Sequence, residues 1–298
     1  MRVRVAVPAS VANLGPGFDI LAVALQLQND IRAEQRPGAL AIDSGPGAPP
    51  ELDDPERNLV TIAYARSCAA LGIDVDGVQF TCVNRIPIGR GMGSSAAAAL
   101  AGVLVATALH QAPWDEDDVL DRVSEIEGHR DNAAAALLGG LAICAPGARA
   151  VQLAVSDELR AVLFIPDLPF TTAASRQVVP PTFSRADAIF NASRCALLVR
   201  ALAIADHAGL GVAMQDRWHQ DARFALMTGA REIVDAAIDA GASGAALAGA
   251  GPSVMALTPL DPEPIVAAMT GAAARAGVAG RTMVLPPRNY GTRVDVSP

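Results

Sequence analysis

The stretch Pro87-Ile-Gly-Arg-Gly-Met-Gly-Ser-Ser-Ala-Ala97 decides how the rest of the chain is read. Ahead of it, Val78 to Ile86 (VQFTCVNRI) alternates apolar and polar residues as a half-buried strand does. Behind it, Ala96 to His110 is rich in helix formers, and a helix is expected to open at about Ser94. Glycines at 89, 91 and 93 let the joining turn take positive φ and let a ligand approach the backbone closely. A helix starting there offers unpaired N–H groups and the positive end of its dipole, a ready site for phosphate. Strand, glycine turn and helix together read as an anion site. The dinucleotide fingerprint G-x-G-x-x-G is only partly met, because position 94 is serine.

Composition narrows the chemistry around that site. The 23 basic residues are all arginine, since no lysine occurs anywhere in the chain. This excludes a Schiff-base lysine, a pyridoxal anchor and the G-x-x-x-x-G-K-[ST] phosphate loop. Phosphate must be met by backbone amides, arginine and a metal ion. A net charge of −8 argues against nucleic acid or an anionic membrane as partner. With 298 residues, 51% hydrophobic and 18% charged, the chain suits two folded domains and no disordered one. Cys68, Cys82, Cys144 and Cys195 form no C-x-x-C pair and read as free buried thiols of a reducing compartment. Met1 to Val7 alternates as a strand and not as a signal peptide, and the apolar run from Ala96 to Leu109 is too short to span a bilayer. A soluble, cytoplasmic protein is expected.

Outward from the glycine turn, Pro37 to Pro55 reads as a surface loop with at most one short strand. Helices are expected at Asn58 to Leu71, Asp115 to Glu127, Ala186 to Gly209, His219 to Gly229, Ala230 to Gly241 and Pro264 to Gly277. Strands are expected at Gly140 to Ala145 and Ala161 to Ile165, and Ala242 to Thr258 holds two short apolar stretches around a second glycine cluster. Pro146-Gly147 is a plausible boundary, giving domains at 1–149 and 150–298. The irregular alternation favours an α+β architecture over a doubly wound sheet.

Four further blocks stand out: Pro8-Ala-Ser-Val-Ala-Asn-Leu-Gly-Pro-Gly-Phe-Asp19, read as a long loop; Glu125-Ile-Glu-Gly-His-Arg-Asp-Asn132; Thr172-Ala-Ala-Ser-Arg176 with Val-Val-Pro180; and Asp216-Arg-Trp-His-Gln-Asp-Ala-Arg223. With the phosphate-loop block and Ala248-Gly-Ala-Gly-Pro-Ser253, they resemble the ordered motifs of the GHMP small-molecule kinases. Met92 stands where that family has leucine, and Ala248 where it has serine. The first block and E-G-H-R-D-N are most similar to the family's homoserine kinase branch, with Arg130 in place of proline. The resemblance runs from residue 3 to about 258.

That resemblance implies an N-terminal domain with a left-handed β-α-β crossover, a ferredoxin-like C-terminal domain, and an active site between them. It implies transfer of the ATP γ-phosphoryl group to the side-chain hydroxyl of L-homoserine, with Mg²⁺ held by Ser95 and Glu127. Pro87, Ile88, Gly89, Arg90, Gly91, Met92, Gly93, Ser94, Ser95, Ala96 and Ala97 would bind the nucleotide phosphates, with Asn58 a candidate near adenine. Arg176 and Arg223 match carboxylate-binding arginines, and Asp19 would hold the ammonium group. Asn13, His129, Asn132 and Thr172 complete the substrate pocket, and Asn13, Glu127, Asn132 and Arg176 are the residues on which catalysis would rest. Several relatives carry aspartate where Asn132 stands, and an amide cannot accept a proton. Catalysis by positioning and electrostatics is therefore expected, with Asp131 holding its loop by hydrogen bonds rather than serving as base. A homodimer is implied by the family. Two other readings remain at this stage: a kinase of the same fold for another small alcohol or for threonine, and a non-catalytic binding protein.

Overall fold

The computed structural model describes residues 1–75, 77–168 and 172–298, apart from the Thr172 side chain. The chain opens with a long hairpin of β1 (Arg2–Asn13) and β2 (Gly17–Gln35). The first block, expected as a loop, is mostly strand: Ser10 pairs with Ala24 and Ala12 with Ala22. Gly15, Pro16 and Gly17 serve the turn, where Asn13, Leu14 and Gly15 all have positive φ, while Pro8 lies within β1 at a register shift. Val11, Leu14 and Leu21 beside it are fully buried, which carries the strands through.

β3 (Ala41–Asp43) then leads through α1 (Leu59–Ala70) to β4 (Val78–Val83), which pairs with it in parallel. The strand expected to reach Ile86 stops at Val83. Beyond it, the N–H groups of Arg85 and Ile86 turn to the Asn29 side-chain oxygen at 2.8 and 2.9 Å. The helices α2 (Ser94–His110), α3 (Glu116–Glu127) and α4 (Asp131–Leu138) follow, then β5 (Leu141–Ile143) and β6 (Val151–Leu153). Asp115 and Asp118 close a reciprocal cap on α3 at 3.0 and 3.1 Å.

The second half runs β7 (Arg160–Pro166), α5 (Thr172–Gln177), α6 (Arg185–Ala203), α7 (Leu210–Ala213), α8 (Gln220–Phe224) and α9 (Ala230–Asp239). It continues as β8 (Gly244–Leu247), β9 (Val254–Thr258), α10 (Glu263–Arg275), β10 (Gly280–Leu285) and β11 (Arg293–Ser297). Two expected helices are shorter than read. The first ends at Ala203, just before Ala205 takes positive φ. Of 219–229, only Gln220–Phe224 is α-helical.

Among the described residues, one seven-stranded sheet has the order β11-β1-β2-β4-β3, with β5 and β6 attached to β2. The other has the order β10-β7-β9-β8, all antiparallel. With α9 and α10, the second is the β-α-β-β-α-β arrangement of a ferredoxin-like unit. The sheets do not divide the chain at 149/150: β6 still pairs with β5, and β11 returns to β1. Alternation along β7 joins two cores. Ala161, Leu163 and Ile165 pack into the large core shared with the first sheet, while Val162 and Phe164 face α9 and α10.

Candidate active site

A cleft of about 420 Å³ lies where the β1–β2 turn, the phosphate loop, the start of α4, α5 and the second glycine cluster meet. Its middle is the glycine turn. Gly89, Gly91 and Gly93 have φ of 67°, 73° and 73°, and Gly93 caps α2 from the left-handed region. The first backbone bond of that helix runs from Ala97 N–H to the Gly93 carbonyl at 2.9 Å. The N–H groups of Ser94, Ser95 and Ala96 precede it and are left for an anion. Space at the loop is closed on both sides. A Cβ on Gly91 would lie 2.1 Å from the Ala248 carbonyl oxygen, and one on Gly93 would lie 2.2 Å from Ser10 Oγ.

Ser95 Oγ donates to Glu127 Oε2 at 2.6 Å, joining the end of α3 to the start of α2. The two residues expected to hold a metal thus sit side by side. Both donors are oxygen, the kind a magnesium ion takes, and a pair leaves room for phosphate and water ligands. Among the described residues no cluster of three or more His, Cys, Asp or Glu could hold a metal by itself. Of the other loop residues, Met92 is fully buried and accepts from Ser10 N–H through its carbonyl at 3.2 Å. The side chains of Ala96 and Ala97 also pack in the core, so they shape the loop from beneath. Pro87 is not among the lining residues.

One end of the cleft is polar. Arg176 forms a bidentate pair with Asp19, at 3.0 and 2.5 Å. Both are about one-third exposed. Asn13 donates to the Gly249 carbonyl at 2.9 Å and accepts from Asp19 N–H at 3.2 Å, so it fixes the turn that presents Asp19. Arg223 is buried, donating to the carbonyls of Ser175 at 3.3 Å and Gly249 at 3.2 Å and to His219 Nδ1 at 3.0 Å. Burial, then the charge of Arg176, pushes its pKa down to about 10, which still leaves it protonated at neutral pH. Phe18 lies under both guanidiniums, 5.5 Å from Arg176 and 5.2 Å from Arg223.

The E-G-H-R-D-N block brings its ends to the same pocket. Asp131 is buried, and its Oδ1 accepts from His129 Nδ1 at 2.6 Å and from Asn132 N–H at 2.7 Å. Burial works to lower the His129 pKa, but the bond to Asp131 and its charge outweigh it and hold the pKa above its ordinary value. Asn132 accepts from Ser10 Oγ at 3.0 Å, which leaves its NH₂ donors for the cleft it lines. Thr172 opens α5, but its side chain lies outside the described residues.

The other end is largely apolar, lined by Leu52, Leu59, Val60, Cys82, Ile88 and Ala98. Burial pushes the Cys82 thiol up to about 12, so it is a neutral wall. Asn58 also reaches this end, but its amide is spoken for. It accepts from Val60 N–H at 2.9 Å as the cap of α1, and donates to Leu52 O at 2.8 Å and Ser44 Oγ at 3.2 Å. Its part here is to hold the wall.

Ser10, Phe18, Ser175 and His219 also support the site, each from within one of the quoted blocks. For His219 the signal was its spacing of four from Arg223. His219 is fully buried; Nε2–H donates to the Gly15 carbonyl at 2.7 Å and Nδ1 accepts from Arg223, so the ring is neutral. Burial chiefly lowers its pKa to about 4. An unfolded histidine titrates near 6.5, so below that pH the unfolded chain takes up a proton that the folded one refuses. The neutral ring's stability is present above about 6.5 and is lost as pH falls toward 4. Between pH 7 and 4.5, urea unfolding of the wild type is expected to lose roughly 2 kcal/mol more than that of His219→Gln. Equal losses would show that this ring does not titrate as its surroundings dictate.

Two family models cover this architecture: the GHMP kinases N terminal domain matches residues 58–140, and the GHMP kinases C terminal model matches 198–275. The glycine loop, the ferredoxin-like unit and the cleft between them are thus those of a phosphotransferase, and the chain belongs to the GHMP kinases. Within that family it is similar to homoserine kinases of several bacteria. It is 39% identical to the homoserine kinase of Synechococcus sp., over 99% of this chain and 98% of the relative. It is 38% identical to that of Desulfitobacterium hafniense, over 98% and 99%. The homoserine kinase structure from Cytophaga hutchinsonii superposes with a TM-score of 0.86 at 29% identity, covering 99% of this chain and 97% of that one. A mevalonate kinase structure from L. major, 19% identical with a TM-score of 0.72, shares the fold.

Proposed function

We propose that the protein transfers the γ-phosphoryl group of ATP to the side-chain hydroxyl of L-homoserine, giving O-phospho-L-homoserine for threonine biosynthesis. The observation that carries this reading is the meeting of two unlike sites in one cleft. The glycine loop and α2 N-terminus form a site for phosphate, and beside it stand a paired Asp19–Arg176 and the buried Arg223. An amino acid brings a carboxylate for the arginines and an ammonium for Asp19. Asp19 and Arg176 neutralise each other. Being partly exposed, such a pair is worth about 1 kcal/mol or less, so a zwitterion exchanges it for two ion pairs at little cost.

Adenine takes the apolar end and the phosphates take the N–H groups of Ser94 to Ala96. Asn132 donates toward the substrate hydroxyl, held in that direction by Ser10. Asp131 is engaged by His129 and Asn132, so the hydroxyl proton leaves to phosphate or water and the protein supplies position and field. Ser95 and Glu127 would hold Mg²⁺. When bound, the ion neutralises phosphate charge in place of the lysine the chain lacks. The reading includes a homodimer working in the cytoplasm, without nucleic-acid or membrane partners. Among the described residues no helix is long and apolar enough to cross a membrane.

Glu127→Gln is expected to lower kcat by roughly 10²-fold and to raise the Mg²⁺ concentration needed for half-maximal rate about tenfold, read from Mg²⁺ titrations. An unchanged magnesium requirement would remove Glu127 from that role. The reading itself is tested by ADP release from MgATP with L-homoserine, L-threonine, L-serine and mevalonate side by side. Homoserine is expected to be strongly favoured. Release with another alcohol alone would discard the substrate, and binding without release would discard the kinase.

A further inference from the structure

The first sheet carries arginines in register on the face turned away from the cleft. Alternation along β4 separates the two sides: Cys82 lines the cleft, while Thr81, pointing the other way, lines a second cavity of about 540 Å³. Two cross-strand rows make its floor. Strand pairing sets Ser297, Arg2, Glu34 and Gln79 side by side in one, and Asp295, Arg4, Arg32 and Thr81 in the next. Carboxylates are short there. Glu34 is shared by Arg2 at 3.1 Å and Arg36 at 2.6 Å, and Asp30 by Arg4 at 2.5 Å and Arg85 at 2.6 Å. Asp295 stands 4.0 Å from Arg4, too far for a hydrogen bond. Arg32, exposed and directly opposite Arg4, has no hydrogen bond or ion pair to any described residue. This surplus of positive charge lies in a chain whose net charge is −8.

We propose that this face is a second anion site, taking a small phosphate monoester whose phosphoryl group bridges the guanidiniums of Arg4 and Arg32. Like charges set opposite each other across two strands weaken a sheet, and a dianion between them turns that repulsion into two attractions. Arginine forks match the oxygens of a phosphoryl group, and Arg32 has every donor of its fork to give. Arg4 is partly exposed, so sharing itself between Asp30 and a phosphate costs little. The cavity is larger than one phosphoryl group, and Gln79, Thr81 and Ser297 add uncharged hydrogen-bonding groups to its walls. These suit a hydrophilic remainder on the ester. The site shares no residue with the cleft and stands whether or not the substrate is homoserine.

Calorimetric titration of inorganic phosphate and of glycerol 3-phosphate tests the site. The protein is first saturated with Mg²⁺ and the non-hydrolysable nucleotide AMP-PNP, so that the phosphate loop is occupied. Ionic strength is held constant with sodium chloride at about pH 8, where both probes are mainly dianionic. The wild type is expected to bind both, the ester about threefold or more tighter, and Arg32→Gln to weaken each about tenfold or more. Thermal melts supply a readout of opposite sign. Without phosphate, Arg32→Gln is expected to melt about 1 °C above the wild type, because a like charge has gone; with saturating glycerol 3-phosphate it is expected to melt below it. Turnover is expected to be unchanged in the variant, since Arg32 lies outside the cleft. No binding beyond the chloride control, or equal affinities in the wild type and Arg32→Gln, would overturn the site. Inorganic phosphate bound as tightly as the ester would overturn the assignment to a monoester.

Discussion

Arg176→Gln is expected to lower kcat/KM for L-homoserine by about 10³, a loss near 4 kcal/mol, while KM for ATP moves less than threefold. The substitution removes the charge that would meet the substrate carboxylate and leaves Asp19 without its bidentate partner. The other arginine cannot move over to compensate. Arg223 is buried and held by the Ser175 and Gly249 carbonyls and by His219. Glutamine cannot restore either charge or fork. Asp19→Asn is expected to weaken homoserine as well, through the ammonium. Because the two side chains are partners, the double variant is expected to cost less than the product of the single losses. Steady-state kinetics on the four proteins check this. A loss under tenfold, or an ATP KM that rises as steeply as that of homoserine, would take Arg176 out of the amino-acid subsite.

The second large effect is expected at the contact between the two glycine clusters. Gly91→Ala would place a Cβ 2.1 Å from the Ala248 oxygen and 2.9 Å from the Gly251 oxygen, both main chain, at φ +73°. No side chain is there to swing aside, so the loop must leave its seat. Unfolding free energy is expected to fall by about 3 kcal/mol, with a rise in the ATP KM of tenfold or more. Gly72→Ala is the natural control. It has φ +69° but nothing within 4 Å, so it carries the conformational cost alone, about 1 kcal/mol. Urea denaturation of the two variants separates strain from collision. Equal losses would mean that the clusters are not seated on each other as described.

These two sites were unequally legible in the sequence. The glycine turn could be read because its chemistry is local: a strand, three residues free to take positive φ, and a helix start lie within about a dozen positions. Well-capped helices were legible for the same reason, α1 by Asn58 and α3 by the Asp115–Asp118 box. The length of β2 was not. Gln26, Gln28, Asn29 and Asp30 interrupt its apolar pattern, and no strand was expected there. They are tolerated because distant residues satisfy them: Asp30 takes Arg4 at 2.5 Å and Arg85 at 2.6 Å, and Asn29 takes Asn84 at 3.1 Å. β11 was missed because its place depends on pairing with β1 at the opposite end of the chain. In the site, resemblance supplied Asp19, Arg176 and Arg223 as separate residues. That Arg223 is seated by His219 and Ser175, and that Phe18 underlies both arginines, depends on contacts between segments some 200 residues apart in the case of His219 and Gly15, and spacing along the chain cannot report them.

The central claim is that the ATP γ-phosphoryl group ends on the side-chain oxygen of homoserine, and the product itself tests that most directly. Phosphorus–proton correlation NMR of a reaction with MgATP and L-homoserine is expected to show a new phosphate ester coupled to the methylene protons next to the former hydroxyl, formed in step with ADP. Inorganic phosphate in place of the ester, or a phosphorus coupled to no homoserine proton, would contradict the account.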